Sequence, residues 1–449
     1  MPPLIENNET NNDPKQKANI LNQHFSSKAT VHGENEVPPK LCKPIVNSEL
    51  SDINTSPLEV GKIIRDCKKS HQSYCGVPGK FLSMISTPIS FPMSRMFNNM
   101  FEVGFFPDTF KLAHITSIWK QKSLKSSKLF YRPISLLPTM SKIMESIIHS
   151  RLLSHCIENS WISKRQGAYM KGDSTTNQLL YIVHQIRSAW QKGDVCQVAF
   201  ADVEGAFEKV WHTGLLAKLE QASITNNCLS LLQSYLSNRH QITVVDGIKS
   251  DVAKVKAGIP QGSKLGPLLF ILYNNDIKNE LEAEVLIYAD DTLLHAFGKN
   301  PTETSAILNR DLDKISLWAK TWIVTFSAEK SRDMIFSEKT FNENPPLIFN
   351  NEVVKRVTVH KHLGLMLSSS LDWSYQIQYL CLRANRKLSV LRSIKFIQRR
   401  TLDLLYKITI RSVIDYALPV YWHTLKVSEK NRLEQIQYKK WKTCFEGFT

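Results

Sequence analysis

Apolar residues along this chain follow two rhythms. In SKIMESIIHSRLL, positions 143, 144, 147, 148, 152 and 153 keep a helical period, and Ser141 is placed to cap the helix. Residues 174–190, 265–277 and 305–323 read as further helices, and Val60–Lys69 as a weaker one. AFEKVWHTGLLAKLE is mixed and reads as helical, and from Tyr375 onward the pattern is one of basic amphipathic helices. Between these lie short apolar runs. CQVAFADV reads as a strand ending on an acid, and EVLIY and TLLHAF as strands flanking Ala289-Asp290-Asp291. ITVV and VAKV alternate around Asp246-Gly247, which predicts a β-hairpin. VTVHKHLGLML, with Gly364 inside it, is a strand or a tight strand pair. Pro133 in YRPISLLP is incompatible with an ordinary central strand. Residues 1–57 are polar and read as a linker, apart from a helix around Ile20, Leu21 and Phe25. Strands interleaved with helices predict an α+β fold with helices packed on one face of a sheet.

Composition adds a partner class. The formal net charge of +16 and a pI of about 9.3 favour a polyanion or an anionic membrane surface, and charge alone does not choose between them. No run of eighteen apolar residues is present, so no transmembrane helix is expected. The first thirty residues lack the apolar core of a signal peptide. The eight cysteines are scattered without a CxxC pair, and reduced thiols in an intracellular protein are the simplest reading.

Three acids stand out against these strands: Asp202 at the end of VAFAD, and Asp290 and Asp291 at the turn of VLIYADDTLL. Adjacent strands could bring them within reach of one metal site. Clustered carboxylates repel unless cations neutralise them, and magnesium prefers oxygen ligands completed by substrate phosphates. Two such ions could stabilise both attacking and leaving oxygens of a phosphoryl group. The bland reading stands beside this one, since a bare Asp-Asp pair is usually a solvated turn and Asp202 alone could cap a helix.

GIPQGSKLGPLLFILYNNDI, residues 258–277, closely resembles the segment before the active-site hairpin in reverse transcriptases of non-LTR retrotransposons, especially jockey-like elements. FYRPISLLPTMSKIMESII, QGAYMKGDSTTNQLL, FADVEGAFEKVWHTGLLAKL, YADDTLL and HKHLGLML occur in the family's order, over roughly residues 58–425. The resemblance implies a right-hand polymerase with fingers (58–195), palm (196–368) and thumb (369–449), the palm an antiparallel sheet backed by helices. It implies that Asp202, Asp290 and Asp291 are catalytic metal ligands, with the Val203 carbonyl completing one shell. The expected cofactor is a pair of Mg2+ ions, with Mn2+ as a substitute. Phe207 matches the aromatic gate beneath the incoming sugar; packing of the palm helix is the structural alternative. Gln261 and Gly262 match residues that approach nucleotide and template, and Arg132 the fingers arginine that engages triphosphate. Lys120 and Lys122 are helpers to Arg132 or ordinary solvated charges, and Lys330 is a candidate for neutralising or protonating pyrophosphate. The implied partners are an RNA template, a DNA primer, their RNA–DNA heteroduplex and deoxynucleoside triphosphates, without stable membrane association. Work in cytoplasm and nucleus follows from that function alone.

Two departures from the family pattern are visible. HQSYCGVPGKFL (71–82) keeps Gly76, Pro78 and Gly79 of a fingers loop but lacks its acid, and Glu208 replaces the usual aspartate after Ala206-Phe207. Neither an upstream endonuclease, CCHC knuckles nor an RNase H pattern is recognisable, so a fragment of a longer element protein or a shortened reading of one is expected. The competing functions are an inactive or domesticated nucleic-acid-binding remnant, an intron-type maturase, and an unrelated metal-dependent phosphatase or nuclease. The last leaves Phe207, Gln261 and Arg132 unexplained. Basic helices in RANRKLSVLRSIKFIQRR and IQYKKWK are expected to track the duplex backbone. Replacing Arg399 and Arg400 with Ala should therefore weaken binding uniformly across template sequences.

Overall fold

The computed structural model describes all residues except 7–8, 32, 34–35, 42–47, 68–76, 121–124, 395 and 446–449, and the side chains of 439–445. Residues 71–76 of the departing loop and Lys122 thus lie outside the described residues. Along the chain run helix α1 (Pro14–Lys28), strands β1 (Leu112–Trp119) and β2 (Tyr131–Leu136), and helices α2 (Thr139–Glu158) and α3 (Thr175–Gln191). There follow β3 (Val195–Val203), β4 (Arg239–Val245), β5 (Ile248–Lys249), β6 (Ala253–Val255) and α4 (Gly266–Asn274). Then come β7 (Glu284–Tyr288), β8 (Asp291–Gly298), α5 (Pro301–Thr321), β9 (Phe326–Phe336), β10 (Lys355–Arg356), β11 (Val359–His362), β12 (Leu365–Ser368) and α6 (Ser374–Ser393). The chain divides into two compact units: Met1–Lys164 with Val203–Ile277 and Leu317–Thr325, and Arg165–Asp202 with Lys278–Ser316 and Phe326–Thr449.

The first unit carries a sheet in the order β2-β1-β4-β5, with β6 also paired to β4. Pro133 lies on the outermost strand β2, where a missing N–H costs the ladder nothing. The predicted hairpin is present: Val245 pairs with Ile248 across Asp246 and Gly247, both at positive φ, as a type I′ turn requires. Helix α1 begins at Asp13, whose carboxylate accepts from the Gln16 amide at 2.8 Å, with Pro14 in the first turn. It buries Ala18, Leu21 and Phe25 with Ala113, Ile115, Tyr131, Leu137 and Val245. Asn22 accepts from Gln241 and Thr243, each at 3.1 Å. Leu4–Glu6 and Glu9–Asn11 pair as two short strands, and Leu4 enters the same core. Residues 4–6 and 9–28 are therefore built into the unit, more than a linker composition suggests.

Helix α2 starts at Thr139, two residues before the expected cap. Ser141 instead donates to the buried Glu145 at 2.8 Å, inside the helix. Glu145 accepts from the Lys264 and Leu265 amides at 2.8 and 3.2 Å, and so binds the segment that leads into α4. AFEKVWHTGLLAKLE is helical only from His212; residues 204–208 form turns.

The second unit is built on a sheet in the order β10-β9-β3-β8-β7. β8 pairs antiparallel with both β3 and β7, whereas the short β9–β10 pairing is parallel. β3 is apolar but for Gln197 until it reaches Asp202, because both its faces are covered. Val198 and Phe200 share a core with Leu179, Ile182 and Ile186 of α3, while Gln197 on the other face accepts from Thr304 and Ser305 of α5 at 2.7 and 3.0 Å. β11 and β12 form the tight pair expected of VTVHKHLGLML, turning through Leu363 and Gly364 at positive φ.

Candidate active site

β3 enters the acidic end of its sheet from a buried core. Asp202 pairs in register with Asp291, the first residue of β8. Residues directly opposite in an antiparallel pair project to the same face, so both carboxylates leave one side of the sheet. Asp291 also pairs with Tyr288, which leaves Ala289 and Asp290 as a two-residue turn. Ala289 has φ +58° and Asp290 does not have a positive φ, the sign pattern of a type II′ turn. Glycine is the usual residue at that first position.

Negative charge is concentrated at this end of the sheet. Asp291 keeps access to solvent, yet loss of hydration first, then the charges of Asp290 and Asp202, push its carboxyl up to about 6. Like charges directly opposite on paired strands destabilise the sheet they belong to. Lys330 of β9 stands beside them, its Nζ 3.9 Å from Asp202 Oδ1, both half-exposed. The Asp202 amide donates to Ser331 Oγ at 3.2 Å, and Ser331 donates to the Ser327 carbonyl at 2.7 Å. Among the described residues, no group of three or more His, Cys, Asp or Glu side chains closes around a common point as a metal site. Carboxylate oxygens are nonetheless the donors a hard cation takes, and the raised Asp291 carboxyl marks negative charge that such a cation would relieve.

The nucleotide-contact candidates gather in the first unit. Phe207 stacks on Phe270 with ring centroids 4.9 Å apart, and its carbonyl accepts from the Ile259 amide at 2.7 Å. Gly258, at φ +80°, could carry no side chain, because a Cβ would lie 2.5 Å from the Glu208 carbonyl oxygen and 2.7 Å from that of Phe207. His212 Nε2 lies 2.7 Å from the Gly258 carbonyl. The far side of this loop meets strand β2: the Gln261 carbonyl accepts from the Ser135 amide at 2.7 Å. A Cβ on Gly262, at φ +122°, would come 2.5 Å from the Ser135 carbonyl. Arg132 is exposed on the same strand, while Lys120 is exposed just past β1 and bonds Phe130 through its backbone amide. Phe207, Pro133, Ser135 and Gln261 line a small cavity of about 50 Å³. Phe207, Gln261, Gly262 and Arg132 are thus brought together within one unit, and Asp202, Asp290, Asp291 and Lys330 within the other.

The match to known proteins follows this layout. Residues 121–383 fit the family model described as reverse transcriptase (RNA-dependent DNA polymerase). The chain belongs to the reverse transcriptase family. Within it, the chain is a domain of the non-LTR, jockey-like retrotransposon type. It is 31% identical over 360 residues to the RNA-directed DNA polymerase from mobile element jockey of Drosophila melanogaster, covering 77% of this chain and 39% of that protein. It is 29% identical to the probable RNA-directed DNA polymerase from transposon X-element of the same fly, covering 74% and 37%. A 26% identical match to the probable polymerase from transposon BS covers 84% and 43%. The chain therefore spans about two fifths of the length of these curated reverse transcriptase relatives. Apo telomerase from Candida tropicalis superposes with a TM-score of 0.40 at 13% identity, over 68% of this chain and 62% of that one, a likeness too slight to carry meaning.

Sequence reading missed two supports of the acidic end. One is Ser331, which follows Lys330 directly. The other is Asp311, fully buried in α5, which accepts from the Glu282 and Ala283 amides at 3.0 and 2.7 Å where the chain enters β7. An aspartate at an apolar face of a helical pattern was the only signal available for it.

Proposed function

We propose that this chain is the polymerase portion of an RNA-directed DNA polymerase that copies retrotransposon RNA into DNA and so supports transposition of its element. The observation that carries the reading is the register pairing of Asp202 with Asp291 beside a turn that holds Asp290. In this reading the fingers occupy 58–195, the palm 196–368 and the thumb 369–449, after an N-terminal extension of 1–57. Asp202, Asp290 and Asp291, with the Val203 carbonyl, would hold two Mg2+ ions, or Mn2+ in their place. Those ions supply activation of a primer hydroxyl and charge relief at the triphosphate. The chain's own residues do the remaining work. Phe207, held against Phe270, excludes a 2′-hydroxyl, and Gly262 lets the backbone near Ser135 come close to the nucleotide and template. Arg132 and Lys120 hold phosphate oxygens by charge-assisted hydrogen bonds, and Lys330 balances charge at Asp202 and the departing pyrophosphate. Basic helices from Ser374 onward grip the RNA–DNA heteroduplex by its phosphates. Among the described residues no helix is long and apolar enough to cross a membrane. Such an enzyme meets its RNA in the cytoplasm and its target DNA in the nucleus.

Primer extension on an RNA template with deoxynucleotides and magnesium tests this directly. Extension by the purified chain that vanishes in the Asp290→Asn, Asp291→Asn variant is the expected result. Tight heteroduplex binding without extension would put a catalytically silent nucleic-acid-binding remnant in its place.

A further inference from the structure

We infer that Gln166 is a positioning residue for the acidic hairpin: its side-chain carbonyl holds the Ala289 amide and so fixes the turn that aims Asp290 and Asp291. The inference rests on the reading of those acids as catalytic. Ala289 occupies the first turn position at φ +58°, where a side chain other than hydrogen is disfavoured. Its amide points away from the hairpin's own ladder, since the flanking pair Tyr288 and Asp291 uses the ladder bonds. Ala289 is buried, so a donor there without an acceptor would be costly. Gln166 Oε1 supplies the acceptor at 3.3 Å.

That oxygen is itself held in place. It also accepts from the Ala168 amide at 2.9 Å, and Gln166 is only 5% exposed. The backbone on either side of Gln166 grips β7: the Arg165 carbonyl accepts from Ile287 at 3.1 Å, and the Gly167 amide donates to the Ile287 carbonyl at 3.0 Å. Residues 165–167 thereby dock on the outer edge of the hairpin, two residues from its turn. A strained turn with two catalytic carboxylates at its tip is where small displacements matter most, and roughly 1 Å of misplacement can cost about a hundredfold in rate.

The test uses the full chain with a defined RNA template, DNA primer and magnesium. Gln166→Met keeps length and removes the acceptor; Gln166→Glu keeps the acceptor; Ala289→Gly removes the steric penalty at positive φ. Gln166→Met should lower kcat about ten- to a hundredfold, with KM for deoxynucleotide within about twofold. Adding Ala289→Gly should restore most of that kcat, which a loss of general packing would not permit. Hydrogen exchange across 284–291 should accelerate about tenfold in Gln166→Met and stay near wild type in Gln166→Glu. An unchanged kcat in Gln166→Met, a loss that Ala289→Gly leaves uncorrected, or equal exchange in the Met and Glu variants would overturn the assignment. Should wild type itself fail to extend primers, the polymerase reading falls, and the exchange comparison alone decides whether Gln166 holds the turn. If Gln166→Met does not fold, the same comparison is made in the Ala289→Gly background.

Discussion

Asp291 and Gly262 are held in opposite ways. Asp291 stands where its own sheet would prefer a neutral residue, opposite Asp202 and beside Asp290, with its carboxyl pushed up to about 6. Gly262 stands where only glycine fits, against the Ser135 carbonyl, and Gly258 is as tightly enclosed against residues 207 and 208. On the proposed reading, function at the acidic end is set against stability; around the GIPQG loop, the contacts that would serve function also hold the fold. Substitutions should therefore separate activity from stability in the second unit and fail to separate them in the first.

Asp202→Asn should cut primer extension on the order of a thousandfold while leaving the Tm in chelator unchanged or slightly higher, because one of three like charges is gone. A fall of several degrees in Tm would show that Asp202 is structural. Gly258→Val should do the reverse, costing about 3 kcal/mol in urea unfolding and losing activity along with folded protein. Wild-type stability with activity lost would break the contrast.

The acid pair also predicts a pH dependence. A carboxyl whose pKa is raised on folding binds more protons in the native state, so its contribution to stability falls as pH rises. Without metal, that fall should run from about 4 to about 6 and level off above, as Asp291 passes from its ordinary range to its raised one. Thermal melts of wild type and Asp291→Asn in chelator isolate it: the difference between the two should grow with pH across that window and stay constant beyond it. A difference that does not change with pH would remove the proposed repulsion. The smallest effect belongs to Lys330→Ala. At 3.9 Å and half-exposed, the pair with Asp202 contributes little to stability, and extension should fall less than about tenfold.

Much of the second unit's sheet was legible because β3, β7 and β8 are mostly apolar runs bounded by acids or turn residues, a signature of strands buried on both faces. Asp246-Gly247 likewise announced its hairpin through the positive φ that the turn demands. Ser141 misled because a serine ahead of an apolar period normally caps a helix; here the helix already began at Thr139, and the hydroxyl turned inward to Glu145. Residues 206–211 misled in another way. Their local pattern is helical, but the bonds from Gly258 and Ile259 back to Val210 and Phe207 hold them out of a helix. The pairing of Asp202 with Asp291 was inferable from the acids' positions at strand ends, whereas the anchoring of the hairpin by Asp311 depends on contacts about thirty residues apart and leaves no local trace.

Helix α1 carries a lesson about where a working piece of this chain begins. The family match starts at residue 121, yet Leu21 and Phe25 share a core with Ala113, Ile115 and Tyr131, and Asn22 satisfies polar side chains on β4. The packed interior does not stop where the family model starts. A recombinant piece cut at the recognisable motifs would uncover an oily strip on its outer sheet and would be expected to precipitate before its chemistry could be assayed.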